Sequence, residues 1–319
     1  MSPLTLKAAA VQMAPLFLDT QGTLWKILQY IEEGAGQGLE LLVFPETILP
    51  GYPYWSMTHD PMLNLGRFNQ RLHAEAVVVP GFESKALCAA AKKHHCNLVV
   101  GINEKEGGTI YNSQLIISND GELLGCRRKL VPTSQERMVW GRGDGSDLKV
   151  YQTSFGVLGA LICYEHSNPL FRYSVQAQGE QVHAANWPGG MPFIDHIMDA
   201  AIRHYAFESG AFVISATSIL TQEILDELAG GSATGVLQPG GGYSVIVGPD
   251  GKYLAGPETE REGIVSADLD FEKIVSAKIM VDGQGHYARP DVVQLRLNSS
   301  KQVPLVIEDG KKSLTPASG

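Results

Sequence analysis

The run Val157-Leu158-Gly159-Ala160-Leu161-Ile162 carries no polar side chain, and this constrains the fold more than any other segment of the chain. A strand with one wet face alternates apolar and polar residues, whereas a strand without polar positions is covered on both faces by other layers. Cys163-Tyr164-Glu165-His166 follows at once, and its polar residues indicate that the chain has left the sheet. Cys163 therefore stands at the lip of the sheet, where an α/β fold builds its site.

Two other segments deliver an ionisable group in the same way. Leu41-Leu42-Val43-Phe44 is a short apolar strand running into Pro45-Glu46, and the strand-like stretch Glu122 to Arg128 runs into Lys129-Leu130-Val131-Pro132-Thr133. A carboxylate, an ammonium and a thiol at three strand ends can converge into a base, a charge stabiliser and a nucleophile.

The remaining pattern is α/β. Leu6 to Met13 reads as a strand and Thr20 to Ala35 as a helix with Leu24, Ile27, Leu28 and Ile31 on one face. With Leu41 to Phe44 they form a β-α-β unit, right-handed by rule if the strands pair in parallel. Helices over Gly66 to Ala76 and Glu83 to His95 precede a strand at Asn97 to Gly101. Asn119-Asp120-Gly121 joins strands Tyr111 to Ser118 and Glu122 to Arg128 in a hairpin; Pro249-Asp250-Gly251 does the same for Tyr243 to Gly248 and Lys252 to Ala255. Between the hairpins lie the Cys163 strand, a helix from Pro169 to Ala177, strand Val182 to Ala185, a helix from Asp195 to Ser209 and strand Phe212 to Ala216. Two halves of this kind predict two sheets face to face with helices outside. No Pro/Ser-rich or charge-dense break interrupts residues 1–291, which predicts a single domain with 292–319 as an extension ending in a mobile Lys311 to Gly319.

Composition excludes several classes of function. With 44% hydrophobic and 18% charged residues, the 319-residue chain can bury a sizeable core. A net charge of -9 argues against nucleic acid, and Arg127-Arg128-Lys129 is too short to reverse that, so Arg127 and Arg128 read as a solvated strand end. Cys88, Cys96, Cys126 and Cys163 show no paired spacing and Met1-Ser2-Pro3-Leu4 does not begin a leader, from which reduced thiols and a cytoplasmic location are expected. No apolar run reaches the roughly 18 residues of a membrane span. Gly230 to Gly235 and Gly240-Gly241-Gly242 lack a Walker lysine and a dinucleotide-binding context, so they read as loops, and no cofactor is expected.

Taken in order, Phe44-Pro45-Glu46, Arg128-Lys129-Leu130-Val131-Pro132-Thr133 and Cys163-Tyr164-Glu165-His166 resemble the Glu-Lys-Cys signature of the nitrilase superfamily of carbon–nitrogen hydrolases. The likeness runs from about residue 5 to 290. Gly51-Tyr52-Pro53-Tyr54-Trp55, Glu136-Arg137 with Trp140-Gly141 and Gly143-Asp144-Gly145, and Gly285 to Asp291 further resemble the true nitrilase branch. Many relatives have Trp where this chain has Tyr164, a change that keeps an aromatic wall and alters pocket width.

The resemblance implies a four-layer α-β-β-α sandwich and hydrolysis of an organic nitrile to the acid and ammonia, with water and a small nitrile as the partners. It implies Cys163 as nucleophile, Glu46 as general base, Lys129 with the Tyr164 backbone N–H facing developing negative charge, and Glu136 holding Lys129 and orienting water. Tyr52, Tyr164, Trp187 and Pro188 attach to these segments and are expected to wall a largely apolar pocket. It also implies a homodimer or larger homo-oligomer.

Other readings have their own signals. A free cysteine is most often a small buried hydrophobe, and Glu136 could instead form a surface ion pair with Arg137 or Arg142. His166 or His183 could make a Cys-His pair with Cys163, and His94-His95-Cys96 invites a metal, although adjacent helical histidines diverge; no metal site is expected. An amidase or N-carbamoyl hydrolase would use the same three residues, a cyanide-hydrating enzyme could too, and a silent scaffold on this fold would need none of them.

Overall fold

The computed structural model describes residues 5–228 and 236–306. Among the described residues, twelve strands form two six-stranded sheets. The first, in order β12-β1-β2-β3-β4-β5, comprises β1 (Thr5–Gln12), β2 (Leu41–Val43), β3 (Asn97–Glu106), β4 (Thr109–Ile117), β5 (Leu123–Arg128) and β12 (Gly263–Asp270). The second, in order β11-β10-β9-β8-β7-β6, comprises β6 (Tyr151–Thr153), β7 (Gly156–Ile162), β8 (Val182–Trp187), β9 (Phe212–Thr217), β10 (Ser244–Val247) and β11 (Tyr253–Glu258). Parallel β1-β2-β3 and β7-β8-β9 cores each continue into antiparallel strands, which is the two-halves organisation that the sequence predicts.

The period-2 alternation of strand side chains sorts the core into layers. Ala8, Ala10, Leu41, Val43 and Val99 of the first sheet pack against Leu158, Ala160, Ala184, Ile214 and Ile246 of the second. Their neighbours Ala9, Val11, Leu42 and Val100 point the other way, onto Leu24, Ile27 and Ile31 of helix α1 (Thr20–Gly36) and Leu87 and Ala91 of α2 (Phe82–His94). On the far side, Ala185, Val213 and Val245 meet Val175 of α3 (Pro169–Gln176) and Met198, Ile202 and Tyr205 of α4 (Asp195–Ser209). The four layers are therefore α-β-β-α, and the parallel core of each sheet is covered on both faces.

Differences from the sequence reading are local or very long-range. Gly66 to Ala76 is not one regular helix: Leu65–Asn69 is a π-turn between Pro61–Asn64 and Gln70–Glu75. The pattern gave no sign of β6, of β12, or of α5 (Glu272–Met280); β12 pairs antiparallel with β1 from Thr5 against Asp270 to Gln12 against Gly263. Gly240-Gly241-Gly242 is a close-packing loop, since a Cβ on Gly241 would meet the Gly190 backbone within 2.8 Å. The Gly230–Gly235 loop and the Lys311–Gly319 tail lie outside the described residues. Residues 292–306 carry neither helix nor strand, and Gln302 N–H donates to Asp144 Oδ2 at 2.7 Å, laying this stretch against the 144–145 loop.

Candidate active site

Glu46 stands just beyond the end of β2. The turn that carries it presses onto β3 at Gly101, where a Cβ would come within 2.8 Å of Glu46 Cα and closer still to the Pro45 carbonyl, so only glycine admits this approach. Glu46 N–H is held by the Trp187 carbonyl at 3.3 Å. Lys129 follows β5 and stays in its ladder through a 2.7 Å bond from its N–H to the Asn112 carbonyl. Cys163 is the first residue after β7 and opens a 3-10 turn, Cys163–Ser167, with φ of +50°. A side chain in this left-handed region costs roughly 1–3 kcal/mol and persists only where its surroundings over-determine it.

The three groups meet in a buried cluster. Lys129 Nζ lies 2.8 Å from Glu46 Oε1 and 2.8 Å from Glu136 Oε2, with every side chain at most 2% exposed. A carboxylate oxygen of Glu46, one of Glu136 and Cys163 Sγ all lie within 4.8 Å of one another. Asn112 Nδ2 donates to Glu46 Oε1 at 2.6 Å, and Tyr52 OH donates to Glu136 Oε1 at 2.7 Å. Glu136 Oε2 also accepts the Thr133 N–H at 2.6 Å, so one carboxylate caps its own turn and holds the ammonium. Glu46 Oε2 has no hydrogen-bond partner among the described residues. One oxygen of the candidate base is therefore free to take a proton.

Burial and charge set the protonation states. Burial, reinforced by Glu136 and opposed by Lys129 and Asn112, pushes the Glu46 carboxyl up to about 7. Burial and the two carboxylates raise the Cys163 thiol well above its ordinary range, against the pull of Lys129 and the Tyr164 amide. Burial alone would lower the Lys129 ammonium, but Glu136 and Glu46 outweigh it and keep the amine charged. The resting cluster is thus a neutral thiol beside an ammonium, and the sulfur needs a base to become nucleophilic. Glu46, Glu136 and Cys163 offer metal-type ligand atoms, yet a cation placed among them would face the ammonium that both carboxylates already hold.

A second buried network ties the three segments together. Arg127 Nη2 donates to Glu165 Oε2 at 2.7 Å; the same carboxylate accepts Leu130 N–H at 2.9 Å and Ile162 N–H at 2.8 Å. Arg127 also reaches Gln114, whose amide bonds the Leu161 carbonyl and Asn186, and Asn186 in turn bonds the Phe44 carbonyl. The neighbours of Lys129 and Cys163 are joined by one carboxylate, and the Glu46 turn by one amide. Arg127 is therefore not a solvated strand end: it is 1% exposed between the sheets, because alternation on β5 turns it inward. Arg128, on the other face, pairs with Glu104 and Glu106 and lies over the Tyr111 ring at 3.7 Å. Arg127, Glu165, Gln114 and Asn186 were missed as site-building residues; only the strand alternation could have flagged Arg127.

The remaining expected positions separate. Tyr52 is buried against Glu136 and acts through its hydroxyl. Tyr164 is 56% exposed and lines a cleft of 450 Å³ with Val131, Pro132, Phe171, Thr133 and Arg137, a lining that does not include Glu46, Lys129 or Cys163. Trp187 stacks on His166 at 5.1 Å, on the face of β8 opposite Asn186, and Pro188 is buried beside it in sequence. Glu136 makes no surface pair with Arg137 or Arg142. His166 Nδ1 donates to the Cys163 carbonyl at 2.8 Å and its Nε2 meets His183, so neither histidine bonds the sulfur. His94 ends α2 and His95 has left-handed φ, which carries adjacent rings apart.

Comparison with known proteins places this geometry in context. A family profile described as carbon-nitrogen hydrolase matches residues 7–279. A nitrilase of Paraburkholderia phymatum is 41% identical over 303 residues, covering 94% of this chain and 89% of that one. An aliphatic nitrilase of Rhodococcus rhodochrous is 40% identical over 310 residues, covering 94% and 85%. Among solved structures, a carbon-nitrogen hydrolase from Helicobacter pylori superposes with a TM-score of 0.73 at 20% identity, over 90% of this chain and 96% of that one.

Proposed function

This chain belongs to the carbon–nitrogen hydrolase family, and from that premise we propose that it is a nitrilase, converting R–C≡N and two waters to R–COOH and ammonia. The observation that carries the reading is the unpartnered Glu46 oxygen in the same buried cluster as the Cys163 thiol, with the Lys129 ammonium bonded to the other oxygen. The curated relatives named nitrilase support a nitrile rather than an amide as the substrate.

In this reading Glu46 takes the thiol proton as sulfur adds to the nitrile carbon, giving a thioimidate, and returns it to the nitrogen. Water adds to the thioimidate carbon; the tetrahedral centre loses ammonia and leaves a thioester. A second water adds to that carbonyl, the C–S bond breaks, and the acid departs while sulfur regains its proton. Lys129 and the Tyr164 N–H face the negative charge that develops, and Glu136 holds Lys129 and orients water. Tyr164 and the cleft around it receive the R group. We further read the protein as a cytoplasmic homo-oligomer, supported by four free cysteines and by the exposed Val275, Ile279 and Met280 of α5; light scattering checks the assembly.

The test is ammonia release from a panel of nitriles and their matching amides, with Cys163→Ala as control. Release from nitriles that vanishes in the variant is expected. Release from amides alone would remove the nitrilase reading, and release from neither would leave a non-catalytic scaffold.

A further inference from the structure

The peptide unit between Cys163 and Tyr164 is held at its carbonyl by a buried side chain. Its C=O, from Cys163, accepts from His166 Nδ1 at 2.8 Å, and its N–H, from Tyr164, is the backbone donor that favours the Cys163 thiolate. A trans peptide is planar, so the direction of the carbonyl fixes the direction of the N–H. The left-handed φ of Cys163 makes this unit one that would otherwise rotate away. Behind His166 runs a wholly buried chain: His166 Nε2 lies 3.0 Å from His183 Nε2, His183 Nδ1 lies 2.7 Å from Glu180 Oε2, and Tyr205 OH donates to Glu180 Oε1.

Proton accounting gives this chain a direction. A carbonyl can only accept, so His166 carries its proton on Nδ1, and its neutral ring leaves Nε2 as an acceptor. His183 must then donate from Nε2, and its Nδ1 shares one further proton with Glu180. We propose that His166 is a positioning residue for the nucleophile: its Nδ1–H fixes the plane of the Cys163–Tyr164 peptide, and with it the direction of the Tyr164 N–H beside the sulfur, and His183 with Glu180 fixes His166 in the tautomer able to do so. The inference rests on Cys163 being the reactive thiol and is independent of which substrate it attacks.

Two substitutions separate this role from packing. His166→Phe keeps a ring against Trp187 and removes the donor; His166→Asn removes the ring and keeps a side-chain N–H at the same bond count from the backbone. The readouts are the rate of Cys163 alkylation by iodoacetamide, located by peptide mass spectrometry, and kcat and KM for ammonia release, with circular dichroism as the check on folding. His166→Phe is expected to slow alkylation and lower kcat by roughly tenfold to a hundredfold, as for loss of a hydrogen bond to a charged group, with KM unchanged. His166→Asn is expected to retain both rates. A folded His166→Phe protein with wild-type alkylation overturns the proposal, as does the reverse order of the two variants, which packing alone would produce. If His166→Phe does not fold, His183→Phe carries the test, because it leaves His166 in place and removes the donor that sets its tautomer, together with the 2.7 Å contact to Glu180. Should the wild type release no ammonia from nitriles, the substrate assignment falls and the alkylation order still decides this inference.

Discussion

Replacing Arg127 by Met probes the tie between the candidate catalytic segments. The substitution keeps much of the side-chain volume and deletes the cation facing Glu165, in a pair whose members are 1% and 2% exposed. Breaking a buried ion pair costs about 3–5 kcal/mol, because the remaining charge stays buried. Glu165 still accepts the Leu130 and Ile162 amides, which places the expected loss near the lower end, about 3 kcal/mol. In urea, with an m-value of about 3 kcal/mol/M for a chain of this size, that lowers the unfolding midpoint by roughly 1 M. Lys252→Met serves as control, since its partner Asp250 and the lysine itself are exposed and such pairs contribute about 1 kcal/mol or less. Combining Arg127→Met with Glu165→Gln should recover about 1 kcal/mol or more of the summed losses, since residues in one network couple by that order. Activity at 1 M below the new midpoint should also fall, because Leu130 and Ile162 adjoin Lys129 and Cys163. A single-variant loss under about 1 kcal/mol, or additive losses in the double variant, would refute the argument that this pair is desolvated and shared.

Glu46, raised to about 7 from 4.5, gives two opposite pH trends. The base must be ionised to act, so kcat/KM should rise with a limb near pH 7. The folded state favours its protonated form, so the stability from this group is fully present below pH 4.5 and is lost as pH rises through 7; urea midpoints across that window check it, and a flat rate profile there would contradict the assignment. Lys129→Met should lower kcat by about a hundredfold or more and move the limb upward, since the ammonium opposes the rise of the Glu46 carboxyl; an unmoved limb would count against their contact. Tyr52→Phe removes the 2.7 Å bond to Glu136 and should cost about 1.5–3 kcal/mol of stability in urea unfolding. Asn186→Leu, which orphans the Phe44 carbonyl and part of Gln114, should cost about 1–3 kcal/mol by the same measurement.

What was legible in the sequence is what is local. The strand ends carrying Glu46, Lys129 and Cys163 could be read because an apolar run stopping at an ionisable residue is contained in a few positions, and the Asn119-Asp120-Gly121 and Pro249-Asp250-Gly251 hairpins because turn chemistry is short-range. The β1–β12 pairing was not legible, since its partners lie more than two hundred residues apart and β12 is half exposed, without a continuous apolar signature. Arg127 misled for a different reason. A run of three cations looks solvated by composition, and the carboxylate that compensates the inward one lies 38 residues on. The aromatic residues were found by adjacency to the motifs, but adjacency does not fix direction, and alternation on β8 sends Trp187 to the helix side.

Glu46 and Lys129 leave strands of the first sheet and Cys163 leaves a strand of the second. A nascent chain that has emerged only to residue 150 holds the acid and the amine without Cys163. The thiol gains its companions when the halves dock, so chemistry is licensed by completion of the fold, and a half-made molecule carries a cysteine no more hazardous to its surroundings than any other.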